Sequence, residues 1–129
     1  MKKISLILIA LSVITMFTAC ANGNDSSSSN VCAVYKGTQR IIGGTDREIT
    51  HTYGNDGIMT ISVNNVGEAA KDTLRGPYEG NPNEDGVIKV ELKEERNSSG
   101  EWVKKEPSSK STYTVSNGSY KAGITMTRQ

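Results

Sequence analysis

Short runs in which apolar and polar residues strictly alternate are the feature that most limits the folds open to this chain. Ile49, His51 and Tyr53 alternate with Glu48, Thr50 and Thr52; Met59, Ile61 and Val63 with Thr60, Ser62 and Asn64; Ile88, Val90 and Leu92 with Lys89, Glu91 and Lys93. A period of two sends successive side chains to opposite faces of a strand, so each run has one face to bury and one to wet. No stripe of period 3.6 accompanies them, which excludes a fold built on long helices.

The segments between the runs are turn formers. Val31 to Tyr35 is the first strand, with Gln39 to Ile42 as its continuation or as a partner for the next strand. Arg47 to Tyr53 and Ile58 to Asn64 form a hairpin about Gly54-Asn55-Asp56-Gly57. Asn65 to Gly80 is expected to be mainly loop, with a short helix over Val66 to Leu74 or an edge strand as alternatives. Asn81 to Gly86 turns the chain into Val87–Glu94, and Arg96 to Gly100 turns it again into Glu101–Lys105. A break at Pro107-Ser108-Ser109 precedes Ser111–Ser116 and Ser119–Thr127, which flank Asn117-Gly118, a pair suited to a type I′ turn. Gly123 marks a bulge or bend in the last strand. Seven or eight short antiparallel strands result. They are expected to form an all-β domain, a small meander barrel, with a β-sandwich as the alternative.

Ahead of this domain stands a different kind of segment. Lys2 and Lys3 precede an apolar run from Ile4 to Met16, then Phe17-Thr18-Ala19-Cys20. The run matches a signal-peptide h-region and is shorter than the roughly 20 residues of a spanning helix. The four residues ending in Cys20 resemble the bacterial lipobox, from which Phe17 departs by not being aliphatic. That resemblance implies a signal peptide over residues 1–19, cleavage before Cys20, and lipidation of Cys20 with diacylglycerol and palmitate-type acyl chains. Each buried methylene contributes about 0.8 kcal/mol, so such chains hold a domain on a bilayer without a helix. Residues 20–30, including Ala21-Asn22-Gly23-Asn24-Asp25-Ser26-Ser27-Ser28-Ser29-Asn30, are polar and small, and read as the lipidated Cys and a flexible tether to a domain over 31–129. Enterobacterial lipoproteins that stay in the inner membrane carry Asp after the cysteine. Ala21 points, by that resemblance, to the outer membrane of a diderm cell.

Composition then removes whole classes of function. Without Lys2 and Lys3 the chain carries thirteen basic against fourteen acidic side chains, so no basic surplus exists for binding nucleic acid. With Cys20 as a thioether no intramolecular disulfide forms, and Cys32 reads as a small apolar residue of the first strand. With Cys20 unmodified, a Cys20–Cys32 bridge closing a short loop is the rival. His51 is the only histidine and lies on a strand face, which leaves no acid–base or nucleophile set for catalysis. One histidine and two cysteines make no zinc site. Asn81, Asn83, Asp85 and Gly86 partly match a calcium loop, but Leu92 occupies the place of its bidentate glutamate, so a hairpin turn is the better reading. Ile41-Ile42-Gly43-Gly44 is a chance likeness to the start of a trypsin-like protease. No cofactor is expected.

Val34-Tyr35-Lys36-Gly37-Thr38, following a polar tether and followed by hairpins, resembles the opening strand of the calycin-like (lipocalin-like) small β-barrel lipoproteins of the Bacteroides group. The resemblance implies a lipocalin-type barrel that binds a ligand, with no catalytic residues to carry over. The chain is therefore expected to be a non-enzymatic, lipid-anchored envelope protein binding a small ligand or an envelope protein. The alternative is an inhibitor or immunity factor against a lysozyme, protease or toxin at the membrane. Tyr35, Tyr53, Tyr78, Tyr113, Tyr120 and Trp102 are expected as core and rim residues. A closed barrel with an apolar cavity points to the ligand. A filled core with an exposed loop carrying Tyr78 or Trp102 points to a protein partner. The sequence does not single out which residues bind.

Overall fold

In a computed structural model, residues 30–129 are described; the signal peptide, Cys20 and the tether expected over residues 1–29 lie outside them. Eight strands form one antiparallel sheet: β1 Val31–Gln39, β2 Arg47–Gly54, β3 Ile58–Asn65, β4 Lys71–Glu79, β5 Gly86–Arg96, β6 Trp102–Val115, β7 Ser119–Lys121 and β8 Thr125–Arg128. The order is β6-β5-β4-β3-β2-β1-β8-β7, a six-strand meander extended by a hairpin that returns beside β1. The sheet curls into a half-barrel whose two edge strands, β6 and β7, are consecutive in the chain. They meet at one point, where Ser116 and Ser119 exchange backbone bonds of 2.9 and 3.2 Å. The expected all-β meander is present, as one curled sheet rather than a sandwich. Among the described residues no helix is long and apolar enough to cross a membrane.

Alternation places the core. Tyr35, Tyr53, Met59, Ile88 and Met126 are fully buried on the inner face, with Val90, Leu92, Tyr113, Val115 and Tyr120 around them. Asn117 and Gly118 both have positive φ, 53° and 76°, as the tight turn closed by the Ser116–Ser119 bridge requires; β6 and β7 then diverge to opposite edges rather than forming the expected hairpin.

Three expectations need correction. The Asn65–Gly80 segment is neither mainly loop nor edge: β4 lies between β3 and β5, because Leu74, Gly76 and Tyr78 supply an inner face despite weak strand composition upstream. Pro107 does not break the chain into two strands. β6 passes through it as a bulge in which Lys93 faces the segment Lys105 to Ser108; proline is tolerated there because β6 is an edge strand. Ser119–Thr127 is two strands, parted by a bend at Gly123.

The half-barrel has two ends. Asn30 and the turns after β2, β4 and β6 share one. There the Asn55 amide donates to the Asn30 carbonyl at 2.8 Å, and the Asn117 amide to Asp85 Oδ1 at 2.9 Å. The loops after β1, β3 and β5 occupy the other end, away from the start of the domain.

Candidate functional site: an outer-face groove

On the inner face the tyrosines are packed together and hydrogen-bonded to the chain and to one another. Tyr35 donates to the Pro82 carbonyl at 2.6 Å and Tyr78 to the Gly54 carbonyl at 2.8 Å. Tyr120 Oη lies 2.7 Å from both Tyr53 Oη and His51 Nδ1. Tyr113 stacks on Tyr120 with ring centres 4.6 Å apart. Burial shifts the ionisation of these groups. His51 is lowered to about 4 and stays neutral, while Tyr78 is pushed up to about 12 and Tyr35, Tyr53 and Tyr120 are also raised. His51 is thus a hydrogen-bonded core residue.

A concavity with a volume of about 1000 Å³ lies on the opposite face. Its backbone is one rung of outward residues in register across β2 to β6: Thr52 opposite Thr60, Thr60 opposite Arg75, Arg75 opposite Glu94, Glu94 opposite Lys104. All five line the groove, together with Lys93, Lys105, Glu106, Ser108, Asp56 and Asn30.

Two ladder irregularities shape it. Between Arg75 and Tyr78 the register with β5 slips, and Gly76 sits so close to the β5 backbone that a Cβ would lie 1.8 Å from the Glu91 carbonyl oxygen. Between Leu92 and Glu94 the β6 bulge intervenes. Bulges bend the strand that carries them, and Lys104 to Ser108 consequently wall the same hollow whose floor is Thr52 and Thr60.

Charges in the groove are largely paired. Arg75 Nε donates to Glu94 Oε1 at 2.6 Å, and Lys104 lies 2.8 Å from Glu106. Asp56 Oδ1 accepts the Ile58 amide at 3.0 Å. Lys105 Nζ donates to the Pro107 carbonyl at 3.0 Å, and Lys93 lies 3.8 Å from Glu91. Glu91 is held below the usual carboxylate range, first by the Ser108 hydroxyl, which bonds it at 2.8 Å.

Beside the groove, Trp102 is half-buried against two guanidinium groups, 4.2 Å from Arg75 and 4.7 Å from Arg96. Trp102 begins β6 and Tyr78 is buried in β4, so neither stands on an exposed loop. Cys32 on β1 is half-buried, with its Sγ 3.5 Å from Tyr78 Oη. Asn81 to Gly86 is a turn in which Asn83 Nδ2 donates to the Cys32 carbonyl at 3.2 Å. Among the described residues no three His, Cys, Asp or Glu side chains group as metal ligands.

Sequence reasoning missed the groove. Alternation signals that Thr52, Thr60, Arg75 and Lys104 face outward, but the bulges that make their row concave have no reliable sequence mark. Comparison of the chain with protein-family models, with curated proteins and with solved structures found no match.

Proposed function

We propose that this chain is a non-enzymatic, lipid-anchored protein of the cell envelope that binds a small ligand in the outer-face groove. The reading rests on the five-residue rung from Thr52 to Lys104. A volume of about 1000 Å³ is at the upper end for a ligand pocket, and hydroxyl and charged groups along the row can fix a ligand's orientation.

The envelope assignment rests on the order of residues 2–20. A thioether and a disulfide are exclusive fates for the Cys20 sulfur, and both belong to exported chains in an oxidising compartment. On the lipoprotein reading the anchor sits in the outer membrane of a diderm cell, and the groove begins at Asn30 and Asp56 at the tether end and runs across the sheet to Lys104 near the β5–β6 loop.

Thr60→Arg tests the binding site, because it fills the groove from an outward position. The low-molecular-mass fraction of an envelope extract is expected to raise the Tm of the wild-type protein and not of Thr60→Arg. An equal rise in both would remove the groove from the account.

One observation favours the second reading, an inhibitor or immunity factor. Ile42 is 99% exposed at the end away from the tether. Its loop is fixed by Asp46, which accepts the Ile41 amide at 3.0 Å through Oδ1 and the Val66 amide at 2.9 Å through its carbonyl. A rigid loop presenting a bare aliphatic side chain suits insertion into an apolar pocket of a protein. Stabilisation by the protein fraction alone, abolished by Ile42→Asp, would select it.

A further inference from the structure

We infer that the ligand of the outer-face groove is an acidic oligosaccharide, a short glycan chain bearing carboxylates, that lies along the rung and is held by Lys93, Lys104 and Lys105; this rests on the groove being the binding site. Shape comes first. Four inter-strand spacings separate Thr52 from Lys104, about 19 Å at 4.8 Å each, which fits a chain rather than a single ion. The surface chemistry is equally specific. Thr52 and Thr60 offer hydroxyls that both donate and accept, as sugar hydroxyls do, and the Ser108 hydroxyl, which donates to Glu91, is left to accept. None of the groove's lining residues is aromatic among the described residues. The stacking platform on which nucleobases depend is therefore absent from the floor, and the indole beside it is already covered by Arg75 and Arg96.

Charge decides the class. The groove's carboxylates are engaged within the protein: Glu94 by Arg75, Asp56 by the Ile58 amide, Glu106 by Lys104. The Lys104–Glu106 pair is 80% and 66% exposed in its side chains, and exposed pairs of this kind hold only weakly. An incoming carboxylate can exchange with Glu106. Lys105 has a carbonyl as its partner and Lys93 a carboxylate at 3.8 Å that Ser108 also binds. Three ammonium groups can thus turn to a ligand. Arg75 and Glu94, closer and partly buried, stay locked and keep the rung in register.

The test uses the purified full chain and two soluble probes of the same linkage and length, an α-1,4 galacturonic acid hexamer and maltohexaose, in titration calorimetry. The acidic hexamer is expected to bind. Its affinity should fall about tenfold or more in Lys93→Ala/Lys105→Ala, and fall again between roughly 50 mM and 500 mM salt as screening rises, while maltohexaose gives no heat. Equal binding of the two hexamers, lost in Thr60→Arg, would keep the groove as a binding site and overturn its preference for acid. No binding of the acidic hexamer, or binding untouched by the double lysine variant, would overturn the inference. A melting temperature for each variant within about 2 °C of wild type separates lost binding from lost fold.

Discussion

Tyr120 Oη stands 2.7 Å from His51 Nδ1 across 69 residues of sequence, and this bond ties the three-residue strand β7 to the middle of the sheet. Apart from the Ser116–Ser119 bridge, β7 pairs with β8 alone, so it has little ladder of its own. The Tyr53 hydroxyl completes a chain through Tyr120 to His51. Each hydroxyl gives one proton, so the chain is polarised as a unit and its middle member matters most.

Tyr120→Phe is expected to cost about 2–4 kcal/mol. It leaves both the His51 ring nitrogen and the Tyr53 hydroxyl buried without this partner, and an orphaned buried polar group costs roughly 1–3 kcal/mol. Tyr53→Phe keeps the Tyr120–His51 bond and is expected to cost less. Urea unfolding of the two variants checks the order; equal costs would mean that the three groups do not act as a chain.

Acid should weaken the fold through His51. Its folded pKa is lowered to about 4, below the unfolded value of 6.5. Between those values the unfolded chain binds the proton and the folded one does not. Stability therefore falls as pH drops from about 6.5 to 4 and this contribution levels off below, by up to about 3 kcal/mol in all. His51→Gln should flatten that part of the profile. Parallel profiles for the two proteins would contradict the assignment.

Gly76→Ala is expected to disrupt the β4–β5 ladder. Its Cβ would meet the Glu91 carbonyl oxygen at 1.8 Å, and backbone cannot swing aside as a side chain can. A loss of roughly 3 kcal/mol or more, or failure to fold, is expected. A thermal melt reads it directly, and a near-native Tm would show that the close approach is not required.

Trp102, the chain's single tryptophan, reports on the groove wall. Arg75→Ala removes one of its two guanidinium neighbours and frees Glu94. A shift of indole emission with less than about 1.5 kcal/mol lost is expected, since such contacts at partly exposed sites are worth about 0.5–1 kcal/mol. Unchanged emission would place Trp102 elsewhere.

Much of this fold was legible because alternation and turn chemistry agree. The hairpin around Gly54–Gly57 and the tight turn at Asn117-Gly118 stand where the sequence puts them, since a turn that needs positive φ names its own residues, but β6 and β7 leave the second turn for opposite edges of the sheet instead of pairing as a hairpin. β4 was not legible: Val66 to Leu74 mixes helix-compatible and polar residues, and its inner face is carried by a glycine and a tyrosine flanking Pro77. Pro107 misled for a related reason, because an edge strand tolerates at a bulge what a central strand does not. The inward tyrosines accord with parity, but which hydroxyl meets which depends on curvature that pairs residues 67 and 69 apart. The groove depends on register slips, which composition does not encode.

An acyl-anchored binding domain stands or falls on the chemistry of the Cys20 sulfur, and intact-mass analysis of the mature protein purified from membranes reads that chemistry. The expected result is a chain beginning at Cys20 with the mass of a diacylglyceryl group and its added acyl chain on that residue, and palmitate label that disappears in Cys20→Ser. A mature chain without lipid, with Cys20 joined to Cys32, would overturn the anchored reading.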